Sequence, residues 1–136
     1  MLNNFYLSLE SIVPEQAIDL NACIEHLAFN KQGLIPVITQ CDQTKTVLMH
    51  AWMNRAALEK TLSTGQMTYW SRSRNAFWVK GETSGHIQEL VNMRFDCDGD
   101  TILCLVNQTG AACHTGRQHC FYLEVDSASN TITLAS

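Results

Sequence analysis

The chain has 136 residues, a formal net charge of −4, 46% hydrophobic and 16% charged residues, which fits one compact domain with a real core and excludes a disordered chain. No net positive field steers it to nucleic acid or an acidic membrane, and no stretch approaches the roughly 20 apolar residues of a membrane span. The N-terminus lacks the basic start and apolar run of a signal peptide, so the expected compartment is the cytoplasm, where six cysteines point to metal binding, catalysis or buried thiols and not to disulfides.

In chain order, residues 1–32 read as an N-terminal arm or small helical element, and 33–136 as the main domain. Within the arm, 14–26 carries Ala17, Ile18, Leu20, Cys23 and Ile24 at helical spacing, continued by Leu27. From Leu34 the texture changes. Strands are expected over 35–40 and 46–53, joined by the polar turn Asp42-Gln43-Thr44. Asn54 caps an expected helix over 55–63, with Gly65 just past its end and Ala57, Leu58 and Leu62 as its buried stripe. Further strands are expected over 67–72, 76–80, 87–95, 101–107, 121–125 and 131–134. The sum is a mainly β domain with one or two helices, and the strand order is not readable. Cys23, Cys41 and Cys104 sit among apolar residues and read as small core side chains.

Three segments carry chemistry. In the run Asp96-Cys97-Asp98-Gly99-Asp100, an extended backbone would send all three carboxylates to one side and Cys97 to the other. Converging carboxylates repel unless a cation or protons offset them, and oxygen ligands suit a hard ion such as Mg²⁺. An EF-hand fails on spacing, because Thr101 and Asn107 stand where that loop needs Gly and Glu. The alternative is a solvated acidic turn bent at Gly99.

The second segment, 109–120, is dense in soft and borderline ligands: Cys113, His114, His119 and Cys120. A loop turning at Gly116 brings Cys113 and Cys120 together, with Cys97 as the candidate third thiolate. Three thiolates and a water make an open, catalytic zinc site, whereas a fourth ligand from His114 or His119 makes a closed, structural one. Buried structural thiols and a surface His119 are the plain alternatives.

The third segment joins Trp70-Ser71-Arg72-Ser73-Arg74 to Trp78-Val79-Lys80-Gly81-Glu82-Thr83-Ser84-Gly85-His86. Arg72 and Arg74 alternate on an expected strand and would share a face, offering planar donors to phosphate. The backbone N–H groups of loop 81–85 can cradle an anion, with Lys80, Thr83 and Ser84 as candidate substrate contacts. Trp70 and Trp78 either stack on a purine or belong to the core. His86 can serve as acid, base or ligand, or simply occupy a turn.

Taken with Gly33-Leu34-Ile35-Pro36-Val37, the stretch Val47 to Asn54, and Gln108-Thr109-Gly110 through Cys120-Phe121-Tyr122, these motifs resemble the phosphoribosyl-AMP cyclohydrolase family of histidine biosynthesis over roughly residues 33–122. The resemblance implies an α+β, mainly β fold with a mixed sheet or pseudo-barrel and one or two short helices, as an intertwined homodimer. It implies zinc on Cys97, Cys113 and Cys120, one of them contributed across the interface, and Mg²⁺ on Asp96, Asp98 and Asp100. The implied reaction is attack of zinc-activated water on C6 of the adenine ring, breaking the N1–C6 bond. His114 or His86 would move protons, and Mg²⁺ with Arg72 or Arg74 would hold phosphate. The pyrophosphohydrolase domain fused to this enzyme in some organisms is expected to be absent. Residues 1–32 match nothing in the family. His50 and Trp52 stand where it has an aliphatic residue and a tyrosine, and His119 where a small residue is common. A zinc nucleobase deaminase would show H-x-E and P-C-x-x-C, and this chain has neither. A non-catalytic zinc-stabilised module would need four protein ligands.

Overall fold

The computed structural model of the chain describes residues 3–136; Met1 and Leu2, the start of the expected arm, lie outside the described residues. The chain opens with α1 (Asn4–Ser8), a 3-10 turn at Leu9–Ser11 and α2 (Leu20–Glu25). Each helix is started by a side chain, Asn3 accepting from the Tyr6 amide and Asp19 from that of Ala22. The Asp19 cap explains why the helix expected from residue 14 begins only at Leu20. Its inward face reduces to Cys23, Ile24 and Leu27, with Ala17 exposed ahead of it.

Next come β1 (Ile35–Cys41), β2 (Val47–Met53) and α3 (Arg55–Thr64). The Asn54 side chain accepts from the Ala57 amide at 2.8 Å, and α3 ends at Gly65. Its buried face is Ala57, Leu58 and Thr61, while Leu62 is only partly covered. The remaining strands are β3 (Thr68–Ser71), β4 (Ala76–Val79), β5 (Gln88–Phe95), β6 (Ile102–Gln108), β7 (Leu123–Asp126) and β8 (Thr131–Leu134).

One four-stranded sheet, ordered β2-β1-β6-β5, forms the centre. β1 and β6 run parallel, from Val37 opposite Ile102 to Cys41 opposite Val106, and the other two pairings are antiparallel. The sheet is therefore mixed and the fold α+β, mainly β, as the sequence led us to expect. The two middle strands are the most apolar. Ile35, Val37 and Thr39 of β1 and Ile102, Cys104 and Val106 of β6 are completely enclosed. Each fully buried aliphatic side chain contributes roughly 2 kcal/mol. Tyr6, Ile24 and Leu27 of the arm join the same core cluster. Cys104 is buried as expected, whereas Cys23 and Cys41 sit half-covered at its rim.

The β3–β4 hairpin is stitched to the start of β5 through the Met67 amide, which donates to the Gln88 carbonyl at 3.0 Å. The β7–β8 hairpin stands apart, and all eight of its strand residues are exposed, Leu123, Val125, Ile132 and Leu134 included. No helix among the described residues is long and apolar enough to cross a membrane. For the chemistry, β6 matters most. The acidic turn enters it at Ile102, and the cysteine-rich segment leaves it at Gln108.

Candidate active site

The end of β6 at Gln108 opens on a cleft of about 400 Å³. Arg74, Lys80, Thr83, Ser84, His86 and His114 line it, and Cys113 contributes to its wall. Segment 109–120 folds into a closed loop here. The Cys113 amide donates to the Arg117 carbonyl at 3.1 Å, and the Gly116 amide to the Cys113 carbonyl at 3.0 Å. The Cys120 amide then ties the loop to β2 through the Leu48 carbonyl at 2.7 Å. At Gly110 a Cβ would come within 2.6 Å of the His86 ring, so only glycine leaves that imidazole its place.

Cys113 and Cys120 are brought side by side but are polarised in opposite directions. The Thr115 hydroxyl donates to the Cys113 sulfur at 3.0 Å and, with the Thr115 amide, holds that thiol below its ordinary range. Burial, and then the neighbouring Cys113, push Cys120 up to about 11. Burial also depresses the Lys80 amine, against the opposing pull of the two thiols, and its Nζ donates to the Ala112 carbonyl at 2.6 Å. Lys80 is thereby fixed beside both sulfurs. In such a pair Cys113 gives up its proton more readily than Cys120, and binding of a metal would require both protons to leave.

Beneath the cleft runs a buried polar chain that reading the sequence missed. The Tyr69 hydroxyl meets Thr39 Oγ1 at 2.7 Å and donates to Gln88 Oε1 at 2.7 Å. Gln88 in turn donates to Gln108 Oε1 at 2.7 Å, and Gln108 Nε2 reaches the His86 carbonyl at 3.3 Å. Gln88 is fully buried. The signal was present: Gln88 shares inward parity with Leu90 on β5, and a glutamine on an inward face needs partners.

At the other end of β6, the backbone of 96–101 is a turn and not the extended strand expected. Asp96 Oδ1 accepts from the amides of Asp100 at 2.9 Å and Thr101 at 3.2 Å, and this closes the turn. The three carboxylates still converge, with one oxygen from each of Asp96, Asp98 and Asp100 within 4.8 Å of the others. The convergence comes from the curl of the turn, not from strand alternation. Hydrogen bonds to Asp96 and Asp98, with burial and their charges adding, push the Asp100 carboxyl up to about 6. Against the opposing effect of burial, bonds from Asp100 and Thr101 hold Asp96 below the carboxylate range. Cys97 is exposed and opens on a different hollow, shared with Tyr6, Leu9, Cys23 and Phe95. Thiol and outer carboxylates thus face apart.

Cys97 does not meet Cys113 and Cys120 within one chain. The seven residues of β6 separate them, roughly 20 Å at the rise of an extended strand. Nor do Arg72 and Arg74 share a face. The strand stops at Ser71, so both occupy the β3–β4 turn. Arg74 points to the main cleft and Arg72 to a second hollow with Asn30, Asn54 and Trp70. There the Arg72 guanidinium lies 4.7 Å over the Trp52 ring, and burial followed by the Arg72 charge lowers the His50 pKa. Trp78 is half-buried, packs against Tyr69 and also borders the main cleft. His119 Nε2 meets the Ser136 carbonyl at 2.9 Å, while its buried Nδ1 has no partner among the described residues.

The donors fit two kinds of ion. Cys113 and Cys120, completed by a third thiolate, are a soft set suited to zinc, and the carboxylate turn is a hard set suited to Mg²⁺.

Comparison with known proteins agrees with the motif reading. A family model described as phosphoribosyl-AMP cyclohydrolase matches residues 49–122. A phosphoribosyl-AMP cyclohydrolase of Roseobacter denitrificans is 62% identical over 101 residues, which are 74% of this chain and 79% of that relative. One from Alkalilimnicola ehrlichii is 54% identical over 121 residues, 89% of this chain and 85% of the relative. Another, from Hydrogenovibrio crunogenus, is 52% identical over 120 residues, 88% and 82% of the two chains.

Proposed function

The chain belongs to the phosphoribosyl-AMP cyclohydrolase family, and on that premise we propose that it hydrolyses the N1–C6 bond of the adenine ring of phosphoribosyl-AMP with zinc, giving the formimino aminoimidazole carboxamide nucleotide. Cyclohydrolase activity and its place in histidine biosynthesis come with family membership. The bond and the metals are inferred from this chain's residues. The observation that carries the reading is the cleft in which a depressed thiol, Cys113, stands with Lys80, His86 and His114, with Cys120 beside that thiol.

Cys113 and Cys120 would hold zinc together with Cys97 of a second subunit, because β6 keeps Cys97 away from them in its own chain. The working unit is then a cytoplasmic homodimer with two shared sites. The exposed apolar residues of β7 and β8 supply surface for such a contact. Zinc bound there supplies a Lewis acid that activates water. Lys80, clamped on the Ala112 carbonyl, keeps the two sulfurs in a positive field. His86 and His114 sit at the cleft wall to take and return protons at the ring nitrogens. Arg74 and the loop carrying Thr83 and Ser84 hold the substrate phosphate, and Trp78 lies alongside for the purine. Arg72 reaches phosphate only if the second hollow joins the cleft in the dimer. Asp96, Asp98 and Asp100 take Mg²⁺.

The direct test adds phosphoribosyl-AMP to purified protein with zinc and Mg²⁺ and follows ring opening in the ultraviolet. A flat spectrum overturns the cyclohydrolase reading. A closed shell of four protein ligands, measured by X-ray absorption, would favour the structural zinc module instead.

A further inference from the structure

We propose that Tyr6, carried on the N-terminal arm, is a positioning residue that sets the carboxylate turn for its cation; the inference rests on the assignment of Mg²⁺ to Asp96, Asp98 and Asp100. The motifs that mark the family begin only at Gly33, yet Tyr6, one of the buried side chains of the arm, lies directly on the acidic turn. Tyr6 is 5% exposed, and its ring occupies the space over Gly99, where a Cβ would lie 2.4 Å from Tyr6 Cε2. Gly99 also adopts φ +69°, a conformation that L side chains rarely take. Both facts require glycine there, and the first requires it because of the arm.

The turn is gripped from a second side. The Ala28 amide, just after α2, donates to the Gly99 carbonyl at 2.8 Å. The arm itself is tied together so that these two contacts act as one. The Tyr6 hydroxyl donates to the Cys23 carbonyl at 2.6 Å, and Asn3 Nδ2 to the His26 carbonyl at 2.8 Å. Phe5 stacks on His26 at 4.2 Å between ring centroids. Burial pushes the Tyr6 hydroxyl up to about 12, so it remains a donor at any working pH.

Gly99 lies between Asp98 and Asp100, so a shift of its peptide moves both carboxylates at once. The hollow that Asp98 and Asp100 share is lined also by Asn3, Asn4, Glu25 and His26, and among the described residues no Lys or Arg lines it; Arg55 lies behind Glu25 and is paired with it. The arm therefore supplies position and no permanently cationic side chain to this hollow. Three converging carboxylates then depend on a cation for neutralisation and on the arm for spacing. Groups outside a metal's ligand set that fix its ligands typically alter affinity tenfold or more when removed.

The test uses the full-length zinc-loaded enzyme with Mn²⁺ in place of Mg²⁺, free Mn²⁺ being counted by its electron paramagnetic resonance signal. Tyr6→Ala is expected to raise the half-saturating Mn²⁺ about tenfold with zinc content unchanged, whereas Tyr6→Phe, which keeps the ring on Gly99, stays within about threefold of wild type. Should Tyr6→Ala fail to fold by circular dichroism, Tyr6→Leu carries the same expectation. Asp98→Asn locates the probe. If it leaves Mn²⁺ binding unchanged, the cation is not on this turn, and the Mg²⁺ assignment falls along with the inference. If Asp98→Asn abolishes binding while Tyr6→Ala binds as wild type does, the brace alone is overturned. Equal losses in Tyr6→Phe and Tyr6→Ala, or a parallel loss of zinc, also overturn it, because the ring contact is then not the cause.

Discussion

The two ends of β6 solve different problems. At the Gln108 end, donors are held from below by a buried hydrogen-bond chain, Thr39–Tyr69–Gln88–Gln108, and from the side by Lys80. At the Ile102 end, donors are exposed and held from outside by a separate piece of chain, the arm carrying Tyr6. A soft site that must expel thiol protons gains from a rigid, half-dry setting. A hard site that keeps waters on its ion gains from exposure, and its precision has to come from the backbone. On the proposed assignment, each chain would give Cys113 and Cys120 to one zinc site and Cys97 to the other, and would hold a carboxylate site by itself.

The sharpest way to break this contrast is to remove a thiolate. Cys113→Ala is expected to abolish zinc and turnover together, read by metal analysis and the ultraviolet assay; retention of full activity would end the zinc mechanism. Subunit mixing then separates shared from single-chain sites. Cys97→Ala and Cys113→Ala, each inactive alone, should regain about a quarter of wild-type activity when co-refolded in equal amounts, because half the dimers carry one intact site. No recovery would mean that each site lies within one chain. Next in size, Lys80→Met should weaken zinc affinity about tenfold while leaving Mn²⁺ binding at the carboxylate turn untouched. Equal effects at both ends would erase the distinction drawn above.

Stability probes are smaller. Gln88→Ala strips partners from Tyr69 and Gln108 and leaves a cavity, and should cost about 3 kcal/mol by chemical denaturation. Asn54→Ala removes the α3 cap, whose side chain lines neither the main cleft nor the hollow of Asp98 and Asp100, and should cost about 1 kcal/mol with metal affinities unchanged. Smallest of all, Glu25→Gln breaks the exposed Arg55–Glu25 ion pair between the arm and α3 and should leave the unfolding midpoint where it was.

Much of the fold was legible because local rules governed it. Asn54 and Gly65 bracket α3, and apolar runs mark β1, β2 and β6 close to their observed limits. Where a local rule was applied one step too far, it failed. Arg72 and Arg74 were placed on a strand whose last paired residue is Ser71, opposite Ala76, so that the hairpin turn points them into different hollows. The carboxylates converge as expected, but a turn closed by Asp96 and not strand alternation brings them together.

Residue identity alone determined the donor chemistry: soft sulfur at Cys97, Cys113 and Cys120, hard oxygen at Asp96, Asp98 and Asp100, and the motif order that marks the family. Ligand preference is a property of atoms, and atoms are written in the sequence. Only the tertiary structure decided which donors meet. Pairing with β1 and β5 keeps β6 extended and buried, which holds the two cysteine-bearing segments apart at its ends, and the packing of Tyr6 on Gly99 ties the arm to the acidic turn. Both outcomes depend on contacts between residues far apart in the chain, whose geometry no local spacing encodes.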